Sequence, residues 1–139
     1  MNGGGPFGLG PGQITGDGEQ AMCLMHGLIH SNQDTKEVSR VMDCDKIAYY
    51  YSSWMRSSPF DVRADTRTCL EPLGAPIENM KAIKAKRIAW ENNKASRSNG
   101  SLMRASPLAV WTSGVKSDKE IYNSVKADSE FTHPNELVV

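Results

Sequence analysis

The sequence predicts an all-α chain, and three observations carry that expectation. Apolar residues recur at helical spacing in several separate stretches. Helix caps and breakers stand at the ends of those stretches. No segment sustains the alternation of β-branched residues that a half-buried strand requires.

Residues 1–16 stand apart, holding seven glycines and two prolines, too many for a helix or a central strand. They read as a Gly-rich leader, or as a loop folded around something, ahead of a helical domain over residues 17–139. From Gly18, Ala21, Leu24, Met25, Leu28 and Ile29 fall on one helical face, with Asp17 and Glu19 at the positive end and Ser31-Asn32 as a stop. A second helix is expected from Asp45 as N-cap. Ile47, Tyr50, Tyr51, Trp54 and Met55 form its apolar face, and Ser57-Ser58-Pro59 ends it.

Asp65 can cap a short helix through Leu70, closed by the stretch from Pro72 to Pro76. Residues 78–95 carry a partial stripe of Met80, Ile83, Ile88 and Ala89, and residues 96–100 (SRSNG) are a turn signal. Leu102 to Trp111 is apolar enough for a buried segment, with Pro107 in a first helical turn. Ser117 and Glu120 form a capping box, opening a helix that carries Ile121 and Val125 and ends near Thr132-His133-Pro134.

Composition narrows the function classes. With 139 residues the length suits a single domain. Sixteen basic and sixteen acidic residues give zero formal charge, which argues against capture of nucleic acid or an acidic membrane as the main activity. No apolar run is long enough to span a bilayer, and the first residues lack the pattern of a secretory signal. Three widely spaced cysteines, Cys23, Cys44 and Cys69, fit a reduced, intracellular and cytoplasmic setting better than a disulfide framework or a zinc site.

Four short segments carry candidate chemistry. Thr15-Gly16-Asp17-Gly18-Glu19 clusters a hydroxyl and two carboxylates, oxygen ligands suited to Mg²⁺ or Ca²⁺, although Asp17 and Glu19 equally suit a helix start. In Ser58-Pro59-Phe60-Asp61 the carboxylate could bind a substrate hydroxyl or position water, or cap the turn. Ser98-Asn99-Gly100-Ser101-Leu102-Met103-Arg104 offers a tight turn whose amides and side chains suit phosphate oxygens. In Thr132-His133-Pro134-Asn135 a histidine follows a helix end, a place where surface histidines are also common.

In this order, ITGDGEQAMCLMHGL, YYYSSWMRSSPFDVRADTRTCL, SRSNGSLMRASPLAVW and ADSEFTHPNELVV resemble the ADP-ribosylglycohydrolase family. That family carries a TDD(T/G)E-type metal turn, a helix ending in W…PxD(I/V)G, an SNG-x-x-MR-x-x-P-L segment and a THPN segment. The resemblance covers residues 8–139, and the third and fourth segments are its most specific parts.

It implies a helical bundle with a dinuclear Mg²⁺ site at the mouth of a cleft. The implied reaction is hydrolysis of the glycosidic bond that joins ADP-ribose to a protein or related acceptor. By the same resemblance Thr15 and Asp17 would ligate metal, and Asp61 would be the carboxylate beside the metals and ribose. Ser98, Asn99, Gly100 and His133 would line the ADP-ribose cleft, with Met103 and Arg104 supporting the loop. The implied partners are ADP-ribose or an ADP-ribosylated protein.

The chain departs from the pattern at four places. Gly16 replaces the first Asp of the TDD turn, and Val62-Arg63 stands where the family prefers Gly second after the Asp. A GDALG-like segment upstream and a GGDTDT-like segment downstream have no counterpart. The bundle is therefore expected to be incomplete, to bind Mg²⁺ weakly by itself, and to leave an apolar face unpaired, with Trp54, Trp90 and Trp111 as candidates. Two functions follow: a glycohydrolase completed by a complementary segment or partner, or a catalytically degenerate scaffold subunit of a larger assembly.

Overall fold

The structure is a computed structural model describing residues 3–31, 41–71 and 81–138, and those residues form six α-helices and no strand. The all-α expectation holds among them. They are α1 (Gly16–Ser31), α2 (Cys44–Arg56), α3 (Ala64–Leu70), α4 (Ala82–Asn93), α5 (Ser106–Thr112) and α6 (Asp118–Ser129), with a 3₁₀ turn over Leu102–Arg104. Asn32, Pro72 to Pro76 and Met80 lie outside the described residues.

Helices α1 and α2 form the central pair. Leu24 and Leu28 of α1 are buried, and Ile47, Ala48, Tyr51, Trp54 and Met55 of α2 form most of the core beside them. The helices approach closely at Gly27, where a Cβ would lie 2.6 Å from Ile47 Cγ1. Only hydrogen fits that contact. The periodicity of α2 is expressed as expected, with Tyr50 half-buried at its edge. Its cap is Asp43, which accepts from the amides of Asp45 and Lys46. Asp45 instead takes the amide of Ala82 at 2.7 Å and Lys81 Nζ at 2.9 Å, joining α2 to the start of α4. Ser57 ends α2, and Ser58 follows with φ of 57°, a left-handed turn that reverses the chain toward Asp61.

Several expected faces are corrected. Met25 and Ile29 of α1 are exposed, so the buried stripe is narrower than the spacing suggests. Helix α3 has Arg63 at its N-cap with no side-chain cap, and Asp65 lies inside the first turn. Helix α4 buries Ala82, Ala85, Ala89 and Asn93, while Ile83 is 81% exposed. The small residues form the contact face because they let backbones approach, a preference that hydrophobicity alone does not reveal. In the expected buried segment over 102–111, Arg104 and Leu108 are buried, but Leu102, Met103 and Val110 face outward. Ser117 caps α6 through the Glu120 amide, as expected, but α6 ends at Ser129, before Thr132.

Residues 3–15 make turns, held by a bridge in which Gly4 N donates to Leu9 O and Leu9 N to Gly4 O. Phe7 packs edge-on against Phe60, tying this segment to the loop that carries Asp61.

Of the three tryptophans, Trp54 is buried and donates its Nε1 hydrogen to Glu19 at 2.8 Å, so it does not form an unpaired face. Trp90 is exposed. Trp111 joins Met25, Leu28, Ile29, Pro107 and Val110 around an apolar groove of about 470 Å³ between α1 and α5.

Candidate active site

Two clusters hold the sequence-predicted residues, and the segment from Asp61 to Asp65 belongs to both. The first surrounds the start of α1. Thr15 O accepts from Glu19 N at 2.9 Å, which closes the first helical turn. Asp61 Oδ2 accepts from Gly16 N at 3.2 Å, serving as a cap delivered from a distant loop. Asp17 is half-buried in the same turn. Glu19 is committed to Trp54. A Cβ on Gly16 would lie 2.0 Å from the Asp61 carbonyl oxygen, so the Asp61 backbone occupies the space an aspartate side chain would need at that position.

The second cluster surrounds Ser98. Its hydroxyl donates to Asp65 Oδ2 and lies 2.8 Å from His133 Nε2, which is also 3.3 Å from Asp65 Oδ2. Gly100 is wedged beneath the imidazole. A Cβ there would be 2.7 Å from His133 Cε1, so glycine is required for the turn to pass the ring. Asn99 is exposed, and its carbonyl accepts from Leu102 N in the same turn. Met103 is exposed.

His133 is fully buried. Its tautomer follows from proton counting through the surrounding bonds. The Ser98 hydroxyl hydrogen is spent on Asp65, so a hydrogen on His133 Nε2 is what bonds Ser98 and the carboxylate, while Thr132 Oγ1, which accepts from Arg104 Nη1 at 2.8 Å, lies 2.8 Å from the remaining nitrogen, Nδ1. Nδ1 is then the acceptor and Nε2 the donor toward Ser98 and Asp65. A continuous relay thus joins a buried arginine to the site: Arg104, Thr132, His133, Ser98, Asp65.

Arg104 anchors the relay. Its Nε lies 3.1 Å from Asp128 Oδ2, and its other nitrogens donate to Gln20 Oε1 and the Asp128 carbonyl. The guanidinium sits 4.8 Å from the Tyr51 ring centroid, and Tyr51 donates to Asp128 Oδ1 at 2.6 Å. Burial pushes the Tyr51 hydroxyl well above its ordinary value, keeping it a neutral donor. Residues from α1, α2, α6 and the 3₁₀ turn therefore meet on one ion pair, which sets where the Ser98 turn and His133 stand.

The cysteines lie outside this chemistry. All three are free, and burial pushes the thiols of Cys23 and Cys69 up to about 11 and also raises Cys44. None is a ready thiolate at neutral pH.

Sequence reasoning read Asp65 only as a cap. Nothing local marks it for more, because its partners Ser98 and His133 are 33 and 68 residues away in sequence.

Burial, and next the Arg104 charge, lower the His133 pKa below 6.5. Burial raises the Asp65 carboxyl, but the Ser98 bond, His133, the Thr66 amide and Arg63 outweigh it and leave it below 3.8. Both groups bind protons more readily when unfolded. The His133 contribution to stability is full above about pH 6.5 and is lost as pH falls toward its folded value. The Asp65 contribution is lost at lower pH, below about 3.8. Urea midpoints should fall between pH 7.5 and pH 5.5, and His133→Gln should flatten that dependence while lowering the midpoint at pH 7.5. An unchanged slope in the variant would separate His133 from the acid sensitivity.

Comparison with known proteins agrees with the motif order. The ADP-ribosylglycohydrolase family profile matches residues 1–139. A protein of Acanthamoeba polyphaga mimivirus, named "Putative ADP-ribosyl glycohydrolase", is 34% identical over 135 residues, covering 94% of this chain and 36% of that protein. No solved structure matches. A helical domain built around this family's ordered motifs defines the class, and the chain belongs to the ADP-ribosylglycohydrolase family. It spans about a third of the length of the curated relative it matches. Among the described residues no helix is long and apolar enough to cross a membrane.

Proposed function

We propose that this chain carries the ADP-ribose-binding side of a glycohydrolase domain, and that hydrolysis of an ADP-ribosyl glycosidic bond follows when the rest of such a domain is supplied. The observation that carries the reading is the pre-set Ser98–Gly100 turn, held by Asp65 and His133 beside the segment that brings Asp61 to α1. A turn fixed before binding loses little freedom when it meets a ligand.

In this reading Ser98, Asn99 and Gly100 meet the ribose and diphosphate, while His133 positions Ser98 from beneath. Thr15, Asp17 and Asp61 are hard oxygen donors gathered at one helix start, and they suit Mg²⁺ as part of a larger ligand set. When bound, the metal would supply Lewis acidity toward ribose and water oxygens. Asp61 would orient the ribose, while the Asp61 carbonyl against Gly16 leaves no room for a further carboxylate from position 16. The missing oxygen ligands then come from the remainder of the domain. The groove between α1 and α5, lined by Met25, Leu28, Ile29, Pro107, Val110 and Trp111, offers such a remainder an apolar surface to cover.

The same groove favours a second reading, in which the chain is a scaffold subunit and the site is vestigial. Supplying the complementary part of such a domain, taken from a longer family member, in trans or by fusion and assaying release of ADP-ribose separates the two. The enzymatic reading expects Mg²⁺-dependent release that Asp61→Ala reduces at least a hundredfold (about 2.7 kcal/mol of barrier). Release that survives both Asp17→Ala and Asp61→Ala would remove the assigned roles, and assembly without ADP-ribose binding would favour the scaffold.

A further inference from the structure

Arg63 occupies the position where the family pattern has glycine, at the N-cap of α3 and midway between Asp61 and Asp65. Its side chain is 48% exposed, and its Nε lies 3.5 Å from Asp65 Oδ1. The same nitrogen is 3.7 Å from the place where a Cβ on Gly100 would stand, so the guanidinium lies against the Ser98–Gly100 turn. Arg63, Ala64 and Asp65 line an open cavity of about 370 Å³ at this edge of the turn.

Asp65 orients this arginine more than it neutralises it. Its Oδ1 also accepts from Thr66 N at 3.0 Å, while Oδ2 is taken by Ser98 and His133. The carboxylate charge is thus divided among four donors. Among the described residues Arg63 has no other ion pair. A guanidinium held at one edge keeps its planar fork available, and that fork matches two oxygens of a phosphate.

We propose that Arg63 is a phosphate-contacting, specificity-determining residue of this chain, gripping the diphosphate of an ADP-ribosyl ligand seated on the Ser98–Gly100 turn. The proposal rests on the ADP-ribose reading above and adds to it a charge contact that a glycine at this position cannot make.

The test is an NMR titration of the ¹⁵N-labelled chain with ADP-ribose, and separately with adenosine, which lacks the phosphates. Arg63→Ala should weaken ADP-ribose affinity about tenfold or more, with adenosine affinity unchanged. Arg63→Lys should recover part of the loss, and the salt dependence of ADP-ribose binding should flatten in Arg63→Ala. Arg63→Gln, which keeps much of the side-chain length, provides a second neutral variant, and each spectrum reports whether the fold is intact. Equal ADP-ribose affinity in the wild type and both neutral variants would overturn the role of Arg63 alone. Absence of ADP-ribose shifts in the wild type would instead remove the parent reading, and this one with it.

Discussion

Asp128→Ala should cost about 3–5 kcal/mol of folding stability, the range for a buried ion pair that loses one partner. The side chains of Arg104 and Asp128 are 1% and 4% exposed, so water cannot replace the carboxylate. Gln20, Thr132 and the Asp128 carbonyl would remain as neutral acceptors for a full positive charge, and the Tyr51 hydroxyl would lose its acceptor as well. Against a total stability of roughly 5–15 kcal/mol, that loss leaves a substantial unfolded population. Urea denaturation followed by tryptophan fluorescence measures it directly. Tyr51→Phe should cost less, about 1.5–3 kcal/mol, because the bond it removes ends on a buried carboxylate but the ion pair stays. Replacing both charges, as Arg104→Met with Asp128→Leu, should recover much of the stability, since burying the pair is itself costly. The double variant would nevertheless release Thr132 and so loosen His133. A small loss in Asp128→Ala would mean that the pair is hydrated in solution.

Gly16→Asp, which restores the family's carboxylate, should destabilise the chain by about 1–3 kcal/mol, the usual cost of forcing extra atoms into a filled contact. The conflict arises at Cβ, 2.0 Å from the Asp61 carbonyl oxygen, so Gly16→Ala should show most of the same loss. Relief requires moving a backbone, and the loop that moves carries the Asp61 side chain away from the Gly16 amide. The variant should therefore gain no Mg²⁺ affinity by itself. Circular dichroism melts and a Mg²⁺ titration of the two variants check both statements. Unchanged melting would show that the Asp61 loop stands off α1 in solution.

The parts of the fold legible in the sequence were those governed by local rules. Helix α2 is readable because its apolar residues repeat over two full turns, and the Ser117 cap because its partner is three residues away. The reading failed where tertiary contact overrode hydrophobicity. On α4 alanines face inward and Ile83 outward, because close approach was worth more than one larger apolar contact. The outward turn of Met25, Ile29 and Val110 belongs to the groove rather than to the core. Within the candidate site, motif order singled out Ser98, Gly100 and His133, which the fold brings together, but pattern alone could not show that His133 is sealed beneath the turn. Nor could it show the Arg104–Asp128 pair, whose members are 24 residues apart, or the service of Asp65 to both Ser98 and His133.

The central claim is that the Ser98–Gly100 turn and its neighbours receive ADP-ribose. The most direct measurement is the map of amide shift changes as ADP-ribose is titrated into the ¹⁵N-labelled chain. Saturable changes centred on Arg63 to Asp65 and on Ser98 to Ser101, abolished by Gly100→Val, are the predicted result. No saturable change, or changes confined to the α1–α5 groove, would contradict it.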